Sequence, residues 1–465
     1  MANRPHVFLF LAFAILGISQ NGRAQSAGTL DNPKCSKMQP SLGRALCLAG
    51  QDTVHILYIH GIGAEEAGGS WNFQKHLCAV LKGCRLPKYP VPVSRDEAQD
   101  GPFASTTPPS YKYMGSEVWT DENWRASRPF VDHYVLRRDD GGPVVIDEIN
   151  WWPLVFPLKC RNIILGEANL AGPDKELLDL CAAKNDPHKP NEQRYPWITP
   201  AQAKQAEALQ SRGARFNRGV KNNLMDWGFS DPIMAVGPMR DLFRAAMLQL
   251  FAKSASFTPK GRGRDDSTLG SQGPYVDREF IVVSHSLGSF LVFSTLQDRV
   301  TTSRCAALEN APAPPENDRT RPVSETEDRA TCYILERTSM LYFFANQIPL
   351  LYLATVVPPQ SSGAAQAGPA ADLSTQMQAL QAVRQYFGKT EIHITAFSDP
   401  SDLLSWHFPP IAKTVVENCS VRNTFWHWLI ASPEGAHTNY AQNKEVLRIM
   451  MDPEKYGARS CSLSQ

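Results

Sequence analysis

Short apolar runs alternate with amphipathic segments along most of the chain. Amphipathic spacing predicts helices after Ser70, after Pro238 and over 373–387, with Ser70 as the N-terminal cap of the first. The apolar runs are rich in β-branched and aromatic residues and predict buried strands at 54–59, 144–150, 279–283, 339–345 and 391–397. Because strand and helix alternate, we expect an α/β fold, with a doubly wound, mostly parallel sheet flanked by helices.

Two insertions, 85–142 and 154–230, interrupt this alternation with segments rich in polar and turn-forming residues. One further strand is predicted inside the first insertion, at 132–138. Insertions of this length in a compact domain are typical of a lid or a binding wall, so they predict a cap formed over a site. Residues 358–371 are of low complexity and predict a flexible loop. The pattern is that of a single domain over residues 25–465.

The N-terminal segment is typical of a secretory signal peptide. Arg4 precedes an apolar run at 7–18, which is too short to span a bilayer, and small residues flank Arg23 at positions 22 and 24. We therefore predict a signal peptide over residues 1–24 and a secreted or periplasmic protein, with no integral membrane segment in the mature chain. Removing residues 1–24 takes away two arginines and no acidic residue, so the formal charge changes from +1 to −1. A near-neutral chain gives no support for nucleic-acid binding.

The ten cysteines are an even number, which in an exported chain predicts disulfide bonds. Proximity along the chain favours five near-neighbour pairs: Cys35–Cys47, Cys78–Cys84, Cys160–Cys181, Cys305–Cys332 and Cys419–Cys461. No Cys-x-x-Cys pair occurs, and no two histidines have ligand spacing inside a cysteine cluster, so no metal site is expected.

A strand that breaks at a small-residue turn carries the strongest candidate for chemistry. The apolar run at 279–283 passes through Ser284-His285-Ser286-Leu287-Gly288 and continues into a second apolar segment. A sharp turn of this kind holds one side chain, here Ser286, at the carboxyl end of a parallel sheet. Gly288 allows the following helix to approach the strand closely.

Two other turns also follow predicted strands, His60–Gly63 after the first and Ser398–Asp402 after the last. In a parallel sheet, the carboxyl ends of the strands share one edge, so we expect these turns to lie near Ser286. A serine hydroxyl needs a base to remove its proton and a third group to orient that base. His437, just before the final helix, is the favoured base, with His407 and His427 as alternatives.

The orienting acid and the oxyanion donors complete the expected site. Asp402 is favoured as the acid because it lies a few residues beyond its strand, and Asp399 remains the alternative. The backbone N–H groups of Ile62 and Leu287 are the expected oxyanion donors.

The order Ser286, Asp402, His437, with His60-Gly61 after an early strand, resembles the α/β-hydrolase superfamily. The resemblance covers about residues 54–457. It implies a serine esterase, lipase, thioesterase or acyltransferase that acts on a small-molecule or lipid ester through an acyl-enzyme, without a cofactor. Ser284 stands where the family usually has glycine, and residues 26–52 leave little room for the antiparallel strands that usually precede the His-Gly strand. The alternatives are a non-catalytic exported binding protein of this fold and an acyltransferase that uses the same three residues.

Several polar and aromatic residues near these turns have other expected positions. We expect His285 to point away from the cleft and His60 to shape the oxyanion turn. Trp151 and Trp152 follow a strand and fit either a pocket wall or the core. Glu148 lies within a strand, as a buried polar partner, and receives no role.

Overall fold

The computed structural model describes the polypeptide over most of the predicted elements. The residues that the structure describes are 33–62, 69–87, 111–118, 129–159, 229–237, 239–256, 279–299, 302–310, 323–353, 369–386, 389, 392–411, 414–423 and 433–463. The predicted signal peptide, most of the insertion at 154–230 and most of the loop at 358–371 lie outside these ranges.

Nine strands of the described residues form one sheet, in the order β2-β3-β4-β1-β5-β6-β7-β8-β9. The six strands from β4 to β8 in this order are parallel, whereas β2, β3 and β9 pair in antiparallel fashion. The strands are β1 (Val54–Ile59), β2 (Tyr111–Val118), β3 (Phe130–Leu136), β4 (Val144–Asn150), β5 (Glu279–His285), β6 (Thr338–Phe344), β7 (His393–Ser398), β8 (Val415–Ser420) and β9 (Cys461–Leu463). The predicted α/β class with a mostly parallel sheet is therefore confirmed.

Helices cover both faces of this sheet. They are α1 (Pro33–Ser36), α2 (Leu42–Ala49), α3 (Trp71–Val80), α4 (Phe156–Lys159), α5 (Ser230–Val236), α6 (Arg240–Ser256), α7 (Leu287–Arg299), α8 (Thr302–Asn310), α9 (Val323–Arg337), α10 (Ile348–Leu353), α11 (Pro369–Tyr386), α12 (Pro433–Thr438), α13 (Lys444–Met451) and α14 (Pro453–Tyr456). Short 3₁₀ turns lie at Trp152–Leu154 and Asn439–Gln442.

The central strands are apolar on both faces because each face packs against helices. In β1, Leu57 and Ile59 join a buried cluster with α6, α7, α9 and α11, whereas Ile56 and Tyr58 join a second cluster with α2, α3 and α13. A strand buried on both sides needs a nearly continuous apolar run, and β1 is buried at every position. Double burial explains why an apolar run predicts β1, whereas β4 also buries the polar residues Asp147, Glu148 and Asn150.

The antiparallel strands β2 and β3 lie between β1 and β4 in the chain, within the insertion predicted at 85–142. They extend the sheet outward from β4. Residues 33–49, ahead of β1, hold the short helices α1 and α2. The antiparallel strands beside β4 therefore come from residues that follow β1, whereas residues 33–49 ahead of β1 form helices.

Two details of the predicted helix after Ser70 are wrong. The amphipathic spacing predicts that Val80 lies on the buried face with Phe73 and Leu77. Phe73 and Leu77 are buried, but the Val80 side chain is 47% exposed. Ser70 occupies the N-cap position of α3 without making a side-chain capping bond.

Four of the predicted disulfides are confirmed: Cys35–Cys47, Cys78–Cys84, Cys305–Cys332 and Cys419–Cys461. The pair predicted at Cys160 and Cys181 lies outside the described residues. No helix within the described ranges combines the length and the apolar character needed to cross a membrane.

Candidate active site

The carboxyl ends of β1, β5 and β7 lie at one edge of the sheet and bring the three predicted turns together. Ser286 directly follows β5, Asp402 lies four residues beyond β7, and His437 is in α12. All three side chains are largely buried. Residues separated by up to 151 positions in sequence thus meet at this edge.

The turn after β5 holds Ser286 in a conformation that non-glycine residues rarely adopt. Its φ is 54°, in the left-handed region. The Ser286 N–H donates to the Phe344 carbonyl at 2.7 Å, and the Ser289 N–H donates to the Ser286 carbonyl at 3.1 Å. A strained backbone of this kind costs about 1–3 kcal/mol and persists only where the surrounding contacts hold it. Here β6 and the first turn of α7 hold it.

Two glycines allow the chain to close around Ser286. A Cβ built on Gly288 would lie 2.5 Å from the His60 carbonyl oxygen, so only glycine allows α7 to pass this close to the end of β1. A Cβ on Gly61 would lie 2.8 Å from the Ser286 Cβ. Ser284, two residues before Ser286, is fully buried and donates to the Ser289 hydroxyl at 3.1 Å.

A continuous series of hydrogen bonds links Ser286, His437 and Asp402. His437 Nε2 lies 2.9 Å from Ser286 Oγ, and His437 Nδ1 lies 2.9 and 3.1 Å from the two carboxylate oxygens of Asp402. An ionised carboxylate only accepts hydrogen bonds, so the proton is assigned to Nδ1. Nε2 of the neutral imidazole then carries the lone pair that accepts the Ser286 hydroxyl proton.

Asp402 is held ionised by the groups around it. Burial alone would raise the pKa of this carboxyl group, but hydrogen bonds from His437, Leu404 and Tyr440 outweigh burial and lower it below the ordinary value. The Leu404 N–H donates to Oδ1 at 2.9 Å and the Tyr440 hydroxyl donates to Oδ2 at 3.0 Å. The acid is therefore charged and fixed in orientation at neutral pH.

Asp399, the alternative acid, has different partners. Its two carboxylate oxygens accept the backbone N–H groups of Ser401 at 2.7 Å and Asn423 at 2.5 Å. Its own N–H donates to the Tyr440 hydroxyl at 2.7 Å. Asp399 thus shapes the turn after β7, and Asp402 is the carboxylate that contacts His437. Of the alternative bases, His407 is exposed and His427 lies outside the described residues.

His285 does not point away from the cleft as expected. Its Nε2 lies 2.6 Å from the backbone oxygen of His437, and the two imidazole rings have centroids 5.1 Å apart. Burial, together with the neighbouring His437, lowers the pKa of His285 to about 4, so its ring is neutral near pH 7. The expectation failed because a strand pattern does not show which way the last side chain of β5 turns.

His60 and Trp151 support the turn after β1. His60 is fully buried, its ring stacks on Trp151 at a centroid distance of 4.8 Å, and its Nδ1 lies 2.9 Å from the Gly61 carbonyl oxygen. Trp151 Nε1 donates to the His60 carbonyl at 3.1 Å. Burial lowers the pKa of His60 to about 3. His60 therefore shapes the turn, as expected, while Trp151 and Trp152 belong to the core.

Ile62 and Leu287, the expected oxyanion donors, belong to the two turns that meet at Ser286, the one after β1 and the one after β5. Leu287 is buried as the first residue of α7, and the first N–H groups of a helix have no partner within it. Ile62 follows Gly61, the residue that lies against Ser286.

Glu148 and Ser70 form a buried polar group that anchors the start of α3. The Glu148 carboxylate accepts the N–H groups of Gly69 at 3.1 Å and Ser70 at 2.8 Å, and it accepts the Ser70 hydroxyl. The Ser70 hydroxyl therefore donates to the Glu148 carboxylate in β4 instead of capping α3. The sequence pattern could not show this because the partners are 78 residues apart.

Tyr440 is a site residue that the sequence analysis missed. It is buried, and its hydroxyl connects the Asp402 carboxylate to the Asp399 N–H. Tyr440 follows His437 by three residues, a spacing that places both on one helical face. That spacing is the only local signal, because the hydroxyl's two partners lie 38 and 41 residues away.

Comparisons of the chain with protein-family models, with curated proteins and with solved structures find no match. Within the part of the chain that the structure describes, no group of three or more His, Cys, Asp or Glu residues could hold a metal ion.

Proposed function

We propose that the protein is an exported serine hydrolase of the α/β-hydrolase type, which cleaves carboxylic esters through an acyl-enzyme. The observation that carries the proposal is the hydrogen-bonded series from Ser286 through His437 to Asp402, at distances of 2.9 Å for each step. The strained turn at Ser286, with φ 54°, adds support because it presents the hydroxyl beyond the strand end. A merely structural serine does not require this conformation.

In the proposed acylation step, Ser286 Oγ attacks the ester carbonyl carbon while its proton passes to His437 Nε2. The carbonyl oxygen becomes an oxyanion and accepts hydrogen bonds from the N–H groups of Leu287 and Ile62. The tetrahedral intermediate then collapses, the bond to the alcohol oxygen breaks, and His437 donates its proton to that oxygen. The products of this step are the free alcohol and an acyl-enzyme on Ser286.

Deacylation repeats the sequence with water. His437 removes a proton from water, the hydroxide oxygen attacks the acyl carbon, and Ser286 leaves with the proton that His437 returns. Asp402 accepts the hydrogen bond from the Nδ1–H group throughout, so it keeps the imidazole in one tautomer and stabilises its charged form. Tyr440 keeps the Asp402 carboxylate in place.

Export is part of the proposal and rests on the disulfide bonds. Disulfides persist in oxidising compartments and are rare in the cytosol. The four that the structure describes join segments throughout the chain, from Cys35 to Cys461. A secreted or periplasmic location accounts for them.

Hydrolysis of p-nitrophenyl esters by the purified, disulfide-intact protein tests the proposal. We expect a burst of p-nitrophenol close to the enzyme concentration, followed by slower turnover, because p-nitrophenolate leaves readily and deacylation then limits the rate. Ser286→Ala should abolish both phases. Ser294→Ala is the matched control, since Ser294 is a buried serine of α7 whose hydroxyl bonds the Leu291 carbonyl. Equal rates for the wild-type protein and Ser286→Ala would refute the proposal.

A further inference from the structure

The proposed mechanism leaves one half-buried imidazole beside the nucleophile without a role. His285 directly precedes Ser286 and ends β5. Its Nε2 contacts the backbone oxygen of His437 at 2.6 Å, and its ring also packs near Tyr440, with centroids 6.1 Å apart. His285 thus contacts the main chain of the base from the strand that carries the nucleophile.

The contact fixes the protonation of His285. A backbone carbonyl oxygen can only accept, so the single proton of the neutral ring is on Nε2 and is donated to His437. The opposite edge of the ring faces Gly61, where a Cβ would lie 2.6 Å from Nδ1. The imidazole therefore fills the space between the turn after β1 and the backbone of His437, and it has little freedom to rotate.

We propose that His285 is a positioning residue that holds His437 within reach of Ser286, an inference that rests on the proposed function. Asp402 fixes the far side of the His437 ring through Nδ1. His285 fixes His437 through a second contact, from His285 Nε2 to the backbone carbonyl oxygen of His437. Because His285 and Ser286 are consecutive, any movement at the end of β5 displaces the nucleophile and the support of the base together. The 2.9 Å contact between Ser286 Oγ and His437 Nε2 is preserved in this way.

Two substitutions separate positioning from packing. His285→Phe keeps a flat ring of similar volume and removes the donor, whereas His285→Gln keeps an amide donor close to the position of Nε2. His393→Phe is the matched control. His393 begins β7, so it lies at the amino ends of the parallel strands, whereas Ser286 lies at their carboxyl ends. The measurements are kcat and KM for a p-nitrophenyl ester, the rate of covalent labelling by a fluorophosphonate, and the melting temperature.

We expect His285→Phe to lower kcat and the labelling rate about 10- to 100-fold, since a small displacement of a catalytic group has an effect of that size, with KM unchanged. His285→Gln should recover most of the loss, and His393→Phe should keep the wild-type rate. Wild-type kinetics in His285→Phe would overturn the inference and leave the proposed function intact. Equal losses in the Phe and Gln variants would also overturn it, because the donor would then be irrelevant.

Nuclear magnetic resonance of the imidazole groups gives a readout that does not depend on activity. In the wild-type protein, the His437 Nδ1 proton should be protected and shifted downfield by its bond to Asp402. We expect this signal to broaden or disappear in His285→Phe and to survive in His285→Gln and His393→Phe. If wild-type protein neither turns over esters nor reacts with the fluorophosphonate, the proposed function fails. An unchanged Nδ1 signal in His285→Phe would then separately overturn the positioning role.

Discussion

Replacing Asp402 by asparagine tests the assignment of the acid, which the sequence left open between two residues. The carboxylate accepts three hydrogen bonds, from His437 Nδ1, the Leu404 N–H and the Tyr440 hydroxyl. Asparagine has the same size and keeps one oxygen, which can still accept from Leu404. Its amide N–H₂, however, donates toward His437 and favours the tautomer with the proton on Nε2. That tautomer cannot accept the Ser286 proton.

The expected effect is large because the wrong tautomer removes the base. In serine hydrolases with this arrangement, the same change lowers kcat by about 10⁴. Each factor of ten corresponds to about 1.4 kcal/mol, so the barrier should rise by about 5 kcal/mol. KM should change little, because Asp402 does not contact the substrate in the proposed mechanism.

Asp399→Asn is the matched control. Asp399 uses both oxygens to accept backbone N–H groups, from Ser401 and Asn423. In the variant, one oxygen becomes N–H₂ and faces a donor, which should lower the free energy of unfolding by about 1–3 kcal/mol. Because Asp399 does not contact His437 in the described structure, kcat should fall much less than in Asp402→Asn.

The assay combines initial rates with p-nitrophenyl esters and urea denaturation of the same preparations. We expect Asp402→Asn to lose activity and keep most of its stability, and Asp399→Asn to show the reverse. Near-wild-type turnover in Asp402→Asn, or a larger kinetic loss in Asp399→Asn, would refute the assignment of Asp402.

Three further predictions concern the turn after β1, one disulfide bond and one buried carboxylate. Gly61→Ala should slow fluorophosphonate labelling about 100-fold, because its Cβ would displace the nucleophile, whereas Gly50→Ala, at an open position with φ 53°, should only lower stability. Replacing Cys419 and Cys461 by serine opens a 42-residue separation and should lower the free energy of unfolding by about 4 kcal/mol in urea. Asp147→Asn should lower it by about 3 kcal/mol at pH 7.

The pH dependence of the last prediction follows from the pKa of the buried carboxyl group. Burial would raise the pKa of Asp147, but His55 and His133, whose Nδ1 atoms lie 2.8 and 2.6 Å from its oxygens, lower it below the ordinary value. A depressed pKa contributes stability that is present above the unfolded value of about 3.9 and is lost as pH falls through the folded value. The difference between the wild-type protein and Asp147→Asn should therefore narrow in acid, and a constant difference would contradict this account.

The outcomes that would contradict the other two predictions are equally direct. Labelling of Gly61→Ala at the wild-type rate would show that the turn after β1 adapts to a side chain. A stability loss for the serine pair no larger than that for the removal of the Cys78–Cys84 bond, whose separation is six residues, would contradict the chain-entropy argument.

The parts of the fold that could be predicted are those in which local pattern and burial agree. β1 is buried on two faces and is apolar except for His55, and β4 begins with the apolar run Val144-Val145-Ile146, so both strands could be recognised. In β8, exposed, half-buried and buried residues alternate and include Glu417 and Asn418, so no apolar run marks it. The three-residue β9 exists through its pairing with β8 and the disulfide at Cys461.

The candidate site likewise has residues that the sequence indicates and features that depend on tertiary contacts. Ser286 and Asp402 could be named because turns after parallel strands converge at one end of the sheet, and His437 because it follows both of them just before the final helix. The sequence favoured Asp402 but left Asp399 as an alternative, because both belong to one short turn and differ only in the partners that tertiary structure brings to them. The orientation of His285 likewise depends on a residue 152 positions away.

The most direct test of the account is to map where a fluorophosphonate attaches to the folded, disulfide-intact protein. We predict one adduct per chain, located by peptide mass at Ser286. The adduct should be absent in Ser286→Ala and strongly slowed in His437→Ala, because His437 Nε2 accepts the Ser286 proton at 2.9 Å. Labelling at another residue, or no labelling of correctly folded protein, would contradict the central claim that Ser286 is an activated nucleophile.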